Sequence, residues 1–175
     1  MGKGNKNNNR NTSDKKRRIF GLIAENQPGI IERLAGLCLR RGFNIDTMVA
    51  GKTAQEGISH VIVSMVADSK TTEQVEKQVY KIIEVLKVTD LTKNSIIREH
   101  CLIKISSTPK TRQDITNFAK LNHAQILDAS QKSIILEISS EPEKIDKFIE
   151  ALKPFGIKEL SRAGINALAK WIVFN

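Results

Sequence analysis

The chain has 175 residues, 40% of them hydrophobic, enough for one ordinary domain or two small ones with a real core. No apolar run approaches the roughly 18 residues of a membrane-spanning helix, and the opening MGKGNKNNNRNTSDKKRR has neither the apolar stretch of a secretory signal nor the amphipathic pattern of a transit peptide. The formal charge of +9 is unevenly placed: residues 1–18 hold seven cations against the single Asp14, so the remaining body carries only a small positive excess.

The Gly/Asn/Lys-rich residues 1–16 cannot bury enough apolar area to offset chain entropy and are expected to be a disordered basic tail. Such a tail can touch an acidic partner or simply be solvated. Cys38 and Cys101 lie far apart in sequence and fit a reducing, cytoplasmic setting better than a disulfide framework.

After the tail, RRIFGLIAE reads as a strand. GIIERLAGLCLRRG reads as a helix with Ile30, Ile31, Leu34, Leu37 and Cys38 on one face, stopped by Gly42. NIDTMVAGK and GISHVIVSMVAD are strands around the turn-like AQEG. TTEQVEKQVYKIIEVL is a helix with Thr71 or Thr72 as cap and Val75, Val79, Ile82, Ile83 and Leu86 as its stripe. VLKVTDLT closes the half as a strand, and TKNSI is a short linker.

The grammar then repeats. In REHCLIKISS, Cys101, Ile103 and Ile105 point one way and Lys104 and Ser106 the other. TRQDITNFAKLN is a helix with Ile115, Phe118 and Ala119 inward. HAQILDAS and KSIILEISS form a hairpin. EPEKIDKFIEALKPF is a helix with Pro142 in its first turn and Ile145, Phe148, Ile149 and Leu152 inward. IKELSRAGINAL is the last strand. Each half is a βαββαβ unit, so the fold class is α+β with two tandem ferredoxin-like domains, spanning 17–92 and 98–170. IFGLIA and VIVSMV are apolar at both alternating sets of positions, which predicts that another surface covers the first half, most simply a second copy of the chain in a homodimer, the alternative being that the two halves of one chain cover each other.

A catalytic constellation is not evident. There is no Gly-x-Ser-x-Gly elbow and no Gly-x-Gly-x-x-Gly loop, and the Gly51-Lys52-Thr53 triplet has Asp46 where a phosphate loop needs its first glycine. His60, His100, His123 and the two cysteines lack metal-ligand spacing. The carboxylates Glu73, Glu76, Glu84, Asp146 and Glu150 read as solvated faces of lysine-rich helices. RNA recognition on this topology needs aromatic residues on the sheet, and the central strands offer only Phe20, which argues against nucleic acid as a partner.

ENQPGIIERL poses a sharper question: a strand ends in Asn-Gln-Pro-Gly and a helix begins at once, leaving backbone N–H groups exposed. The stretch RRIFGLIAENQPGIIERLAGLCLRRGFNIDTM resembles the start of an ACT domain, a module that binds amino acids. With EQVEKQVYKIIEVLKVTDLT, REHCLIKI, QILDAS and ELSRAGINAL in order, residues 17–169 resemble the small, regulatory subunit of acetolactate synthase. The resemblance implies an N-terminal ACT domain that binds the effector and dimerises, and a C-terminal ACT-like domain. It implies a noncatalytic chain with no cofactor of its own, paired with a catalytic large subunit that uses thiamine diphosphate, magnesium and FAD. It implies activation of that subunit and feedback inhibition by valine or another branched-chain amino acid. By resemblance, Asn26, Gly29, Ile30 and Ile31 belong to the ligand loop, and Asn44 and Ile45 to the contribution of the second strand from across the dimer. The alternative is a free-standing ACT sensor acting on another enzyme or on transcription.

Overall fold

The computed structural model describes residues 15–170. The expected tail therefore lies outside the described residues except at its end, where Lys16 already opens the first strand, and the final WIVFN lies outside them too. The chain divides near Thr92 into two compact units, except that Thr47–Val49 group with the second. The first contains β1 (Lys16–Glu25), α1 (Ile30–Arg40), β2 (Ile45–Lys52), β3 (Ile58–Ala67), α2 (Ser69–Val79) and β4 (Val85–Asp90). The second contains β5 (Ser95–Ser106), α3 (Arg112–Leu121), β6 (Gln125–Ala129), β7 (Ser133–Ser140), α4 (Pro142–Leu152), a 3-10 turn at Lys153–Phe155 and β8 (Ile157–Ala169). Their sheets run β2-β3-β1-β4 and β6-β7-β5-β8. The α+β architecture of two tandem ferredoxin-like units is thus the one adopted, with part of the expected linker, Ser95 and Ile96, drawn into β5.

In the first unit the register places Phe20 opposite Val63 and Leu22 opposite Val61 on one sheet face. Leu34 and Cys38 of α1 and Val75 and Val79 of α2 supply the buried helical stripes. Phe20 is 1% exposed, so it belongs to this core and offers no base a stacking surface. The other face differs from expectation. Ile19 and Ile62 are 3% and 2% exposed in the single chain, and at Gly21 a Cβ would lie 2.7 Å from Leu91 Cδ1 and 3.0 Å from His60 Nε2. These apolar positions are covered within one chain. The inference from two-faced strands to a covering second copy therefore loses its premise, and a homodimer must rest on other grounds.

The end of α1 follows the sequence signal. Gly42 takes φ +68°, its N–H donates to Leu39 O at 3.1 Å, and Phe43 N–H donates to Cys38 O at 2.9 Å, the paired bonds of a Schellman motif. The second helix does not follow it. It stops at Val79 rather than running on to Leu86, and Ile83 and Leu86 are 93% and 52% exposed. The cause is strand pairing: Val85 and Val88 are buried in β4, and Tyr80 Oη bonds both the N–H and the carbonyl of Val88 at 3.3 Å. Neither threonine caps this helix. Asp68 does, its carboxylate accepting the Thr71 N–H at 2.7 Å. That bond holds the Asp68 carboxyl below the usual aspartate range.

Asp68→Ala should lower the thermal midpoint by about 2–5 °C at neutral pH. Because the folded pKa is depressed, the contribution exists above the ordinary aspartate value of about 3.9 and is lost as pH falls through the folded value. Melting curves of both proteins from neutral pH to pH 3 check this; a midpoint difference that persists unchanged at the acid end would contradict it.

The second unit has a single apolar core. Cys101, Ile103 and Ile105 of β5 meet Ile134, Leu136 and Ile138 of β7, with Ile115 and Ala119 from α3 and Ile145, Phe148 and Leu152 from α4. The rings of Phe118 and Phe148 stack at 5.2 Å across the two helices. Two carboxylates read as solvated do more than that. Asp146 pairs with Arg162 at 2.6 Å, and Glu84, which lies in the turn before β4 rather than on a helix, pairs with Arg33 at 2.7 Å.

Candidate functional site

The loop between β1 and α1 is built on one tight turn. Pro28 and Gly29 occupy its central positions, Gly29 has φ +83° and ψ 0°, and Ile30 N–H closes it onto Gln27 O at 3.3 Å. Glycine in the left-handed region after proline is the type II arrangement. The loop is anchored on both sides. Asn26 N–H donates to Gly57 O at 2.7 Å, and Glu25 N–H donates to Glu84 O at 2.9 Å. Residues from the β2–β3 turn and from the turn before β4 thus fix where the loop points.

The first helical bond runs from Arg33 N–H to Gly29 O at 2.9 Å, and no side chain caps this end of α1. Helix geometry leaves the Ile31 and Glu32 N–H groups without intrahelical partners. Together with the helix dipole they form a site that favours an anion, worth about 0.3–1 kcal/mol when exposed and roughly 2 when partly buried. A Cβ at Gly29 would meet only the Arg33 guanidinium, with Nη1 at 3.5 Å. A ligand can therefore approach the backbone closely here, beside a cation.

The six residues expected at the site divide by role. Asn26 and Gly29 are exposed on the loop. Ile30 is 5% exposed and belongs to the core, whereas Ile31 is 40% exposed. The expected single apolar face of α1 is thus split, with Ile31 turned outward where an apolar ligand could rest on it. Asn44 is exposed and Ile45 half-buried, both beyond the C-terminal end of α1. The 11 residues of that helix span about 16 Å, so one chain does not bring Asn44 to the Asn26–Ile31 turn. A site using both sets needs Asn44 from a second copy.

Arg33, Glu84 and Gly57 were not legible as part of this site. Arg33 carried one signal: it stands four residues after Gly29, and helical side chains lean toward the N-terminus, which lays it over the first turn. Its Nη2 donates to Pro28 O at 3.4 Å and to Glu84 Oε1 at 2.7 Å. Glu84 and Gly57 reach the loop only through tertiary pairing.

Other groups with chemical potential are committed elsewhere. Burial pushes the Cys101 thiol up to about 11 and raises Cys38 as well, which keeps both as thiols at neutral pH. His100 Nε2 lies 2.7 Å from Glu137 Oε1. Among the described residues no cluster of His, Cys, Asp and Glu is arranged to hold a metal, and no helix is long and apolar enough to cross a membrane.

Residues 20–87 match the AHAS small subunit-like ACT domain, and residues 98–171 match the family described as small subunit of acetolactate synthase. The Bacillus subtilis acetolactate synthase small subunit is 40% identical over 156 residues, covering 88% of this chain and 91% of that one. A probable acetolactate synthase small subunit of Archaeoglobus fulgidus is 38% identical, covering 86% and 95%. The crystal structure of the Thermotoga maritima small subunit superposes with a TM-score of 0.83 at 34% identity, covering 90% of this chain and 99% of that one. The chain belongs to the acetolactate synthase small-subunit family.

Proposed function

We propose that this chain is the noncatalytic regulatory subunit of acetolactate synthase: it binds a catalytic large subunit in the cytoplasm, raises its activity, and imposes feedback inhibition by valine. The observation that carries the reading is the Gln27–Ile30 turn, which presents an uncapped helix start with no Cβ in the way at Gly29. An amino acid's carboxylate suits those N–H groups, the exposed Asn26 amide suits its ammonium and carboxylate, and half-exposed Ile31 suits an apolar side chain. The catalytic chemistry, with thiamine diphosphate, magnesium and FAD, belongs to the partner. The second unit supports this over a free-standing sensor, because a sensor needs only the ACT unit, whereas residues 98–171 match a module described by the acetolactate synthase small subunit itself.

The functional form is a homodimer, because Asn44 meets the loop only from a second copy. β2, the strand that follows Asn44, is an edge strand in the order β2-β3-β1-β4.

The test is acetolactate formation by the reconstituted holoenzyme across a valine titration. Asn26→Ala and Asn44→Ala should each activate the catalytic subunit as the wild type does and need roughly ten- to a hundredfold more valine for half-inhibition. A mixed dimer with Asn26→Ala in one chain and Asn44→Ala in the other should recover one intact site of two, with partial inhibition at wild-type valine concentrations. Wild-type sensitivity in both single variants would place the site elsewhere, and failure of the mixed dimer to recover any sensitivity would remove the shared-site arrangement.

A further inference from the structure

Arg33 is a cation seated over the start of α1, and it is divided among neighbours. Its Nη2 donates to Pro28 O at 3.4 Å and to Glu84 Oε1 at 2.7 Å, while Nη1 faces the Cα of Gly29, 3.5 Å from where a Cβ would stand. The pair lies near the surface, where solvent screens the attraction. The side chains are 45% and 21% exposed, and an ion pair so placed is weak enough to be exchanged. Glu32 adds a second carboxylate in the first turn of the helix. An incoming amino-acid carboxylate would therefore meet negative charge on two sides and needs a cation to offset it.

Building on the amino-acid site proposed above, we infer that Arg33 binds the carboxylate of the effector and gives up Glu84 to do so, which makes Glu84 an internal competitor that sets effector sensitivity. The same guanidinium serves both carboxylates. With the effector absent, Arg33 neutralises Glu84; with it present, the forked donors turn to the ligand, whose carboxylate also takes the Ile31 and Glu32 N–H groups. Glu84 stays in place through its backbone, since its carbonyl accepts the Glu25 N–H at 2.9 Å, so the exchange moves side chains and leaves the loop anchored. A structural ion pair and an internal competitor predict opposite results when Glu84 loses its charge.

The experiment measures half-inhibition by valine in the reconstituted holoenzyme and valine binding to the full chain by calorimetry. Arg33→Gln should raise the required valine about ten- to a hundredfold. Glu84→Gln should lower it about two- to fivefold, because the guanidinium no longer has to leave a charged partner. The double variant should match Arg33→Gln alone, since Glu84 acts only through Arg33. If Glu84→Gln raises the valine requirement alongside Arg33→Gln, the pair is merely structural and the inference falls. It falls equally if Arg33→Gln keeps wild-type sensitivity. Asn26→Ala, run beside them, separates the two failures: a shift in that variant alone overturns only the role of Arg33, and no shift in any of them overturns the site itself.

Discussion

Gly29→Asp should abolish the response to valine, shifting half-inhibition by more than about a hundredfold, while the subunit still activates its partner. Three effects add at this one position. The native φ of +83° is in the region that L side chains rarely adopt, so any substitution is strained by roughly 1–2 kcal/mol. The new side chain fills the approach that glycine leaves open. Its carboxylate would then occupy the place proposed for the effector's carboxylate, within reach of the Arg33 guanidinium, whose Nη1 is 3.5 Å from the Cβ position. Like-charge repulsion and capture of Arg33 both act against the ligand, and neither touches the core. Gly29→Ala isolates the first two effects, carrying the strain and the bulk without the charge, and should shift the valine curve less. Holoenzyme assays with both variants, with melting curves to show that each is folded, check the order. Equal effects from alanine and aspartate would mean that strain and bulk disable the site without help from the charge, and a normal response in Gly29→Asp would remove the helix start from the ligand site.

How much of this was legible beforehand depends on how local each cause is. The Pro28-Gly29 turn, the Gly42 stop of α1 and the alternation of Cys101, Ile103 and Ile105 are written in neighbouring residues, and the structure realises all three. The end of α2 is not local. Val79, Ile82, Ile83 and Leu86 have helical spacing, yet pairing of β4 with β1 takes Val85 and Val88 out of that pattern, leaving Ile83 as the most exposed large apolar residue among those described. Tertiary pairing overrode periodicity there. The site shows the same division. Asn26, Gly29 and Ile31 follow one another in the chain, whereas Glu84 joins them only because the turn before β4 abuts the end of β1.

The burial of both faces of β1 is instructive for the same reason. Alternation showed correctly that Ile19 and Ile62 need cover, but the same pattern arises whether the cover comes from the same chain or from another. The separation of Asn44 from the Asn26–Ile31 turn by the length of α1 is a different kind of argument, since it depends on where ligand-type residues lie rather than on apolar area. It is also the one a mixed dimer can test.

The largest stability effect lies in the second unit, at a residue that spacing could not single out. Arg162 bonds Glu99 twice, through Nε at 2.7 Å and Nη2 at 2.5 Å, and bonds Asp146 through Nη1 at 2.6 Å. Glu99 is 4% exposed, and its hydrogen bond is the chief reason the Arg162 guanidinium is held even above its ordinary range. The contact depends on an irregularity of the β5–β8 ladder. Glu99 faces Ile165 and Cys101 faces Arg162, so β8 has one residue more than β5 over this stretch, with Gly164 at φ +82° in the bulge. Arg162→Met keeps much of the apolar stem but strands the buried carboxylate, and should cost about 3 kcal/mol, the low end for breaking a buried pair because the guanidinium is partly exposed. Asp146→Asn should cost under about 1 kcal/mol, since that partner is 54% exposed. The double variant Glu99→Gln/Arg162→Met should recover most of the loss, because it removes the stranded charge along with its partner. Urea unfolding of the four proteins, followed by circular dichroism, gives the comparison. A loss below about 1 kcal/mol in Arg162→Met, or a double variant no better than the single, would show that Glu99 finds other compensation and that this pair is not what holds β8 and α4 to β5.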